Sequence, residues 1–527
     1  MLNRRVSLVV MEKKWWTLMV VCAATFMLLL DITIVIVALP TIQSDLHASF
    51  SDMQWVVDAY ALTLASVLLT AGSLADRYGH RLLFTIGLIV FTLGSLLCGI
   101  AQSPIMLILS RSAQGIGGAI LFATSLALLA QSFHGKERGM AFGIWGAITG
   151  VSAGLGPVLG GVITTGISWR GIFLVNLPVG VASLVVARWQ MDEFKTPHAA
   201  RPDWAGFATL TVGLVSLVYG LIRAGELAWS DTGVALCLAL AAVFFVAFVA
   251  VERRADHPLF DLSLFRIPTF SGGLAAAFAL NGSLYAMFLY LVLYLQDDLG
   301  YSAVATGSAL LLISGTAIFS SIFAGVFSDR IPVRWLIGPG LLLTGVGLLL
   351  MTGLDDGSSW THLIPGFIVA GIGSGIVNPP LASTAVGVVA PQQSGMASGV
   401  NTTFREIGIA TGIAVYGSVF ASSLRQNLGH ALAGIPSLDR HLPGVVTAIQ
   451  QGNAAQAISA VPPASRAPLV AAIHASFASA LDVLLVVSAV LALVGAVCSS
   501  VLIRRRDFVV SHHEPTPATT QSLGSPV

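Results

Sequence analysis

Four acidic residues stand inside runs that are otherwise apolar: Asp31, Asp58, Glu406 and Asp482. Arg111 and Arg405 stand in runs of the same kind. A charge at such a place costs several kcal/mol unless it is paired, hydrated or protonated, so a working role is the default expectation. Asp31 lies about nine residues inside Pro40, roughly 13 Å deep at 1.5 Å per helical residue. Arg111 lies about seven residues inside Pro104, roughly 10 Å deep from the same face. Their similar depths suit an Asp–Arg pair, which would stabilise both charges. Glu406 is about twelve residues into its run, roughly 18 Å from the opposite face and near the midplane. Adjacent Arg405 must point elsewhere, because successive helical residues do not share a face. Asp58, three residues after Trp55, is expected at the interface, where burial is doubtful and a structural role is as good a reading as a functional one. The chemistry open to this set is proton exchange and attraction of cations. For Asp31, Arg111 and Glu406 the alternative is a purely structural tie between helices.

The elements that carry these groups are membrane helices. Hydrophobic residues make up 55% of the 527-residue chain and charged residues 10%. By length and polar punctuation, spans are expected at 15–39, 54–75, 82–101, 105–130, 139–165, 170–190, 206–224, 231–251, 270–296, 304–327, 334–353, 361–388, 395–423 and 477–503, fourteen in all. The basic start, 1–14, leads into a run too long for a signal-peptide core, so it reads as a retained first helix. An even count puts both termini on one side. Of the 26 Lys and Arg, only Arg170, Arg223, Arg425, Arg440 and Arg466 fall on connections of the opposite side. By the positive-inside rule both termini are cytoplasmic and the protein is multi-pass in the cell membrane. A mobile outer loop is expected over 424–476, and a disordered cytoplasmic tail within 504–527. The four cysteines (Cys22, Cys98, Cys237 and Cys498) sit in apolar runs and form neither a disulfide framework nor a metal-ligand spacing. Neither metal nor cofactor is expected. With no G-x-x-x-x-G-K-[ST] loop, ATP is not expected either, nor is nucleic acid.

The chain repeats itself. Gly72-Ser-Leu-Ala-Asp76-Arg77-Tyr-Gly-His-Arg81 returns as Gly325-Val-Phe-Ser-Asp329-Arg330-Ile-Pro-Val-Arg334, at an offset of 253. Gly139-Met-Ala-Phe-Gly143 returns as Gly395-Met-Ala-Ser-Gly399, at an offset of 256. Two echoes at nearly one offset mark a duplicated six-helix unit: a first bundle over 15–190, a second over 267–503, and two inserted helices within 191–266. Parallel six-helix halves are a layout of transporters that rock about a midplane site.

On these residues the chain resembles the major facilitator superfamily, and within it the fourteen-span drug:proton antiporter branch. Gly72–Arg81 is similar to the superfamily's signature loop. Leu30-Asp31-Ile-Thr33 through Ala38-Leu39-Pro40 resembles the branch's first-helix motif. Arg111-Ser-Ala-Gln114-Gly115 resembles its fourth-helix motif. Gly156-Pro157-Val-Leu-Gly160-Gly161 resembles the fifth-helix exporter motif, which Gly150 and Gly154 precede. Trp169-Arg170 and Phe173-Leu-Val-Asn176-Leu-Pro178 also fit the branch. Ile36, Ser152, Pro332 and Glu406 depart from the usual pattern, and Glu406 adds a titratable group.

The resemblance implies an all-α fold of two six-helix bundles plus two inserted helices. It implies no enzyme but a proton-coupled exporter of amphipathic, cationic or aromatic compounds, working as a monomer among lipids. Asp31, Arg111, Glu406 and Asp58 would serve proton coupling. Gly72, Asp76, Arg77, Arg81, Asp329 and Arg330 would form gate latches, with Gly72 permitting close approach of helices. The glycines of the fifth helix offer a smooth packing face, and packing alone explains them; a hinge at Gly156-Pro157 is the hypothesis that the exporter resemblance favours. Asn281, Tyr285 and Asn378 are weaker candidates to line a cavity. A dedicated exporter of one metabolite, a symporting importer and a non-transporting receptor are the alternatives.

Overall fold

The computed structural model describes residues 12–133, 135–195, 202–227, 229–256, 258–327, 331–355, 358–389, 394–432 and 463–508. Helices stand at every expected span. They are α1 (Lys13–Leu46), α2 (Phe50–Tyr78), α3 (His80–Gly99), α4 (Pro104–Ser132), α5 (Gly135–Gly166), α6 (Gly171–Gln190), α7 (Trp204–Glu226) and α8 (Thr232–Glu252). The second half holds α9 (Pro268–Asp298), α10 (Ala303–Phe327), α11 (Arg334–Leu349), α12 (Ile364–Gly387), α13 (Ser394–Leu432) and α14 (Pro463–Leu502). Among the described residues, 12 stretches are long and apolar enough to cross a membrane, and α5 and α11 contribute shorter apolar segments.

Local chemistry sets the boundaries. Ser49 caps α2 by accepting the Asp52 N–H, while the Asp52 carboxylate takes the Ser49 N–H at 2.8 Å, a capping box. Ser103 caps α4 with Pro104 in the first turn, and Asp203 and Asp231 cap the inserted pair. Gly79 joins α2 to α3 at φ 123°, and a side chain there would strike the Glu193 carboxylate. The expected outer loop is shorter than 424–476. Helix α13 runs on to Leu432 and α14 already begins at Pro463, because Ala-rich, polar sequence sustains a helix after the apolar run has ended. Two π-helical turns inside α9, Asn281–Tyr285 and Tyr294–Asp298, have no signature in the sequence.

Packing repeats along with sequence. In the first half α2 lies on α4, α4 on α3, α1 on α5, and α6 on α1 and α3. In the second half α10 lies on α12, α12 on α11, α9 on α13, and α14 on α9 and α11, the same pattern in the same order. The halves meet along two seams, α2 with α13 and α5 with α10. The inserted helices pack on each other, and α7 also covers α2 and α13 where these meet.

Helices α1 and α6 share one end, where Lys13 pairs with Asp192 at 2.7 Å. That end is called terminal here and the other end far. The largest hydrophobic cluster sits toward the far end and joins both halves, from Leu30, Met53 and Trp169 to Tyr290, Leu310, Tyr416 and Leu481. Toward the terminal end one cluster around Leu28, Phe84 and Phe133 belongs to the first half and another around Leu280, Ile337 and Leu381 to the second, while a third joins the halves across the α2–α13 seam, from Leu62 and Leu69 to Phe270, Ala397 and Val400. Large apolar side chains such as Leu93, Leu109, Phe319 and Val497 cover the outside of the bundle, as a lipid-facing surface requires.

Candidate functional site

Five helices converge on Asp31. Its carboxylate and the Arg111 guanidinium are both 1% exposed and form a direct ion pair. The same guanidinium nitrogen donates to Gln114 Oε1 at 2.8 Å, and Arg111 Nε donates to the Val56 carbonyl at 3.1 Å. Gln114 Nε2 donates to Asp31 Oδ1 at 2.8 Å and to Ser95 Oγ at 2.7 Å. Asn176 Nδ2 reaches the same two oxygens at 3.3 and 3.0 Å. The pair that depth suggested is therefore present, and it is embedded in a network spread over α1, α2, α3, α4 and α6. Sequence reasoning singled out neither Ser95 nor the roles of Gln114 and Asn176. The signal was there for the last two, which are polar residues inside the quoted motifs.

The Arg111 guanidinium also lies over the Tyr60 ring, 4.2 Å from its centroid. The buried Tyr60 hydroxyl has no hydrogen-bond partner among the described residues. It points toward Gly118, where an added Cβ would be 3.0 Å away. Glu406 is 8% exposed, and no hydrogen bond or ion pair holds it among the described residues.

Asp58 is not interfacial. It is 0% exposed, and both carboxylate oxygens lack a partner among the described residues. One turn earlier on α2, Gln54 Nε2 donates to Tyr290 Oη at 3.2 Å and to the Ile413 carbonyl at 3.0 Å. Tyr290 Oη donates to the same carbonyl at 2.6 Å. The cause of the correction is tertiary. Helix α13 and Tyr290 of α9 cover this face of α2, and Trp55 packs against Tyr219 of α7, 6.2 Å between rings.

In the second half Arg405 donates to Asn378 Oδ1 at 2.8 Å, and Asn378 Nδ2 donates to Tyr285 Oη at 3.3 Å. Asn281 does not join them. Its amide donates to the Ala277 carbonyl of its own helix at 2.8 Å. Asp482 accepts the Gly353 N–H at 3.0 Å, a structural cap for the loop after α11.

The fifth-helix glycines are places of close approach. A side chain at Gly156 would strike Thr33, and one at Gly160 would lie 2.7 Å from the Ile34 carbonyl, so α5 presses on α1. Gly161 faces Ala303 and Val304 of α10, and Gly307 of α10 faces the Pro157 carbonyl. Gly150 and Gly154 lie on the same helix, α5.

At the end of α2, the Asp76 carboxylate lies 3.2 Å from His80 Nε2 at the start of α3. Arg81 donates to the Arg188 carbonyl at 2.8 Å, and Arg77 lies over Tyr78 at 5.8 Å. Gly72 was expected to permit close helix contact, but a Cβ there meets nothing within 4 Å. Asp329 and Arg330 lie outside the described residues.

A family model described as Major Facilitator Superfamily matches residues 21–413. The chain is 36% identical to a puromycin resistance protein of Streptomyces alboniger, covering 83% of this chain and 88% of that protein. It is 36% identical to a multidrug resistance protein of Mycobacterium tuberculosis, over 82% and 79% of the two chains. It is 32% identical to a tetracenomycin C resistance and export protein of Streptomyces glaucescens, over 97% and 96%. Among solved structures it resembles a bacterial homolog of the human lysosomal transporter Spinster in an inward-facing, unoccupied conformation. The TM-score is 0.61 at 17% identity, covering 95% of this chain and 99% of that one.

Proposed function

The chain belongs to the Major Facilitator Superfamily, and from that premise we propose that it is a proton-coupled secondary exporter of amphipathic, cationic or aromatic small molecules. It works by alternating access, with fourteen membrane helices and both termini in the cytoplasm. Relatives that carry resistance and export in their names support the direction of transport. In this orientation the far end is extracellular, and the far-end contacts between the halves correspond to a state closed to the outside. The turn Gly72–Arg81 acts as a cytoplasmic latch, the role to which Asp76 and Arg81 contribute by binding neighbouring helix ends.

One observation carries the coupling: Asp58 is fully buried on a seam between the halves and has no partner among the described residues. A buried carboxylate left without partners is costly as an anion, so it persists only where its charge is used. Cargo cations and protons compete for that charge. Asp31 and Glu406 complete the set, one held by Arg111 and one buried on α13.

The test is uptake into everted membrane vesicles under an imposed pH gradient, with a panel of cationic dyes. We predict that Asp58→Asn lowers gradient-driven uptake at least tenfold while dye exchange without a gradient continues. Wild-type uptake by a normally expressed Asp58→Asn protein would sink the coupling role. A panel in which a single compound is moved would mark a dedicated exporter.

A further inference from the structure

Arg405 is a cation inside the membrane without an anion. No carboxylate lies within 4.0 Å of it among the described residues, and its one hydrogen bond goes to the neutral Asn378 at 2.8 Å. The neighbouring Glu406 does not pair with it. Arginine stays charged in proteins and carries five N–H donors, so most of its donors have no protein acceptor here. Intramembrane arginines are ordinarily paired, or face a wet cavity along a substrate path.

The surroundings are arranged to hold that donor set. Asn378 turns its carbonyl oxygen to Arg405, because its amide nitrogen is engaged by Tyr285 Oη at 3.3 Å and by the Ser374 carbonyl at 3.0 Å. Tyr285 closes a π-helical turn of α9, a local departure that often sits at functional sites. Its ring meets Phe288 edge-on at 5.6 Å, which puts aromatic surface beside the polar groups. Arg405, Asn378 and Tyr285 come from α13, α12 and α9, three helices of one half.

We propose that Arg405, held by Asn378 and backed by Tyr285, binds an anionic oxygen (a carboxylate or a phenolate) on aromatic cargo. The site then takes acidic and zwitterionic aromatic compounds. This rests on the export reading and names a cargo class within it. A planar guanidinium fork matches a carboxylate better than a point charge does.

The experiment uses a rhodamine bearing a free carboxylate and its ethyl ester, which share ring system and size. Equilibrium binding of both dyes to the purified full-length protein is measured by fluorescence polarisation. Wild type is expected to bind the acid about tenfold or more tightly than the ester, the scale of a charge-assisted hydrogen bond. In Arg405→Gln that ratio falls to about one, and Arg405→Lys restores part of it. Asn378→Asp, which keeps the arginine but supplies an internal anion, also abolishes the preference. A wild-type ratio near one overturns the proposal, as does a ratio that survives Arg405→Gln while both affinities fall together. Uptake of both dyes into everted vesicles is measured in parallel. Uptake without acid preference in binding overturns the proposal and leaves export standing. Acid preference without uptake upholds the binding site and refutes export.

Discussion

The Asp31–Arg111 pair is a structural contact that the proposed proton coupling would also use. Both groups are almost wholly buried, and removing one partner from a buried pair leaves an uncompensated charge, at a cost of about 3–5 kcal/mol. Asp31→Asn should therefore lower thermal stability in detergent as well as impair transport. Arg111→Lys tests the geometry of the pair. Lysine can reach Asp31 but cannot also hold Gln114 and the Val56 carbonyl, nor stack on Tyr60. Each charge-assisted bond lost is worth about 1.5–3 kcal/mol. We predict reduced gradient-driven uptake and a lower melting temperature for Arg111→Lys. Wild-type values for both would remove the network from the mechanism. Glu406→Gln probes the other half. It keeps the size and removes the charge, so efflux of permanently cationic dyes should fall more than efflux of neutral compounds. Equal losses would make Glu406 a general proton carrier instead.

Among the elements, α5 has the sharpest sequence signature and the most specific structural duty. Its glycines remove side chains where α5 presses on α1 within one half and on α10 across the seam. The two contacts are distinct in kind. The first must persist through the cycle if each half moves as a body, whereas the second must part when the far end opens. Gly161→Val would place methyl groups on the Ala303 backbone, where close packing leaves no room. It should disfavour the state closed at the far end. An impermeant maleimide should then label a cysteine at Val304 severalfold faster than in the parent protein. Unchanged labelling would mean that the seam can absorb the side chain. Much of this was legible in the sequence. The periodicity of apolar runs gave the helices, the two echoes gave the halves, and residue depth gave the Asp31–Arg111 pair. What depth alone could not give was cover from another chain segment. Asp58 looked interfacial because its distance from Trp55 was counted along one helix, while α9 and α13 come from the other half of the chain. The π-helical turns of α9 were not legible either, since a weak helix-forming stretch such as Asn281-Gly-Ser does not by itself specify a π turn.

At the scale of the whole molecule, the far-end contacts make a statement about mechanism. Phe50 of α2 packs on Phe420 of α13 at 5.6 Å and on Tyr290 of α9 at 6.1 Å between ring centroids. Gln296 at the end of α9 donates to the Val37 carbonyl of α1 at 2.8 Å. With α5 and α10 also in contact, both seams are shut at that end; toward the terminal end the α2–α13 seam is still packed, with Leu69 against Gly399. Packed interfaces tend to have discrete arrangements rather than to deform continuously, so export requires these contacts to break as a set. A covalent bridge across them should stop the cycle without touching Asp31, Asp58 or Glu406. The four native cysteines, Cys22, Cys98, Cys237 and Cys498, would first be replaced so that only the new thiols react. In that background Phe50→Cys with Phe420→Cys should be joined efficiently by a short bis-maleimide. Gradient-driven uptake into vesicles should then fall in proportion to the fraction cross-linked. Each single cysteine treated with the same reagent should keep most of its activity, which separates bridging from modification. Full activity in a completely cross-linked protein would mean that the far end need not open at this seam, and the rocking of two rigid halves would have to be abandoned.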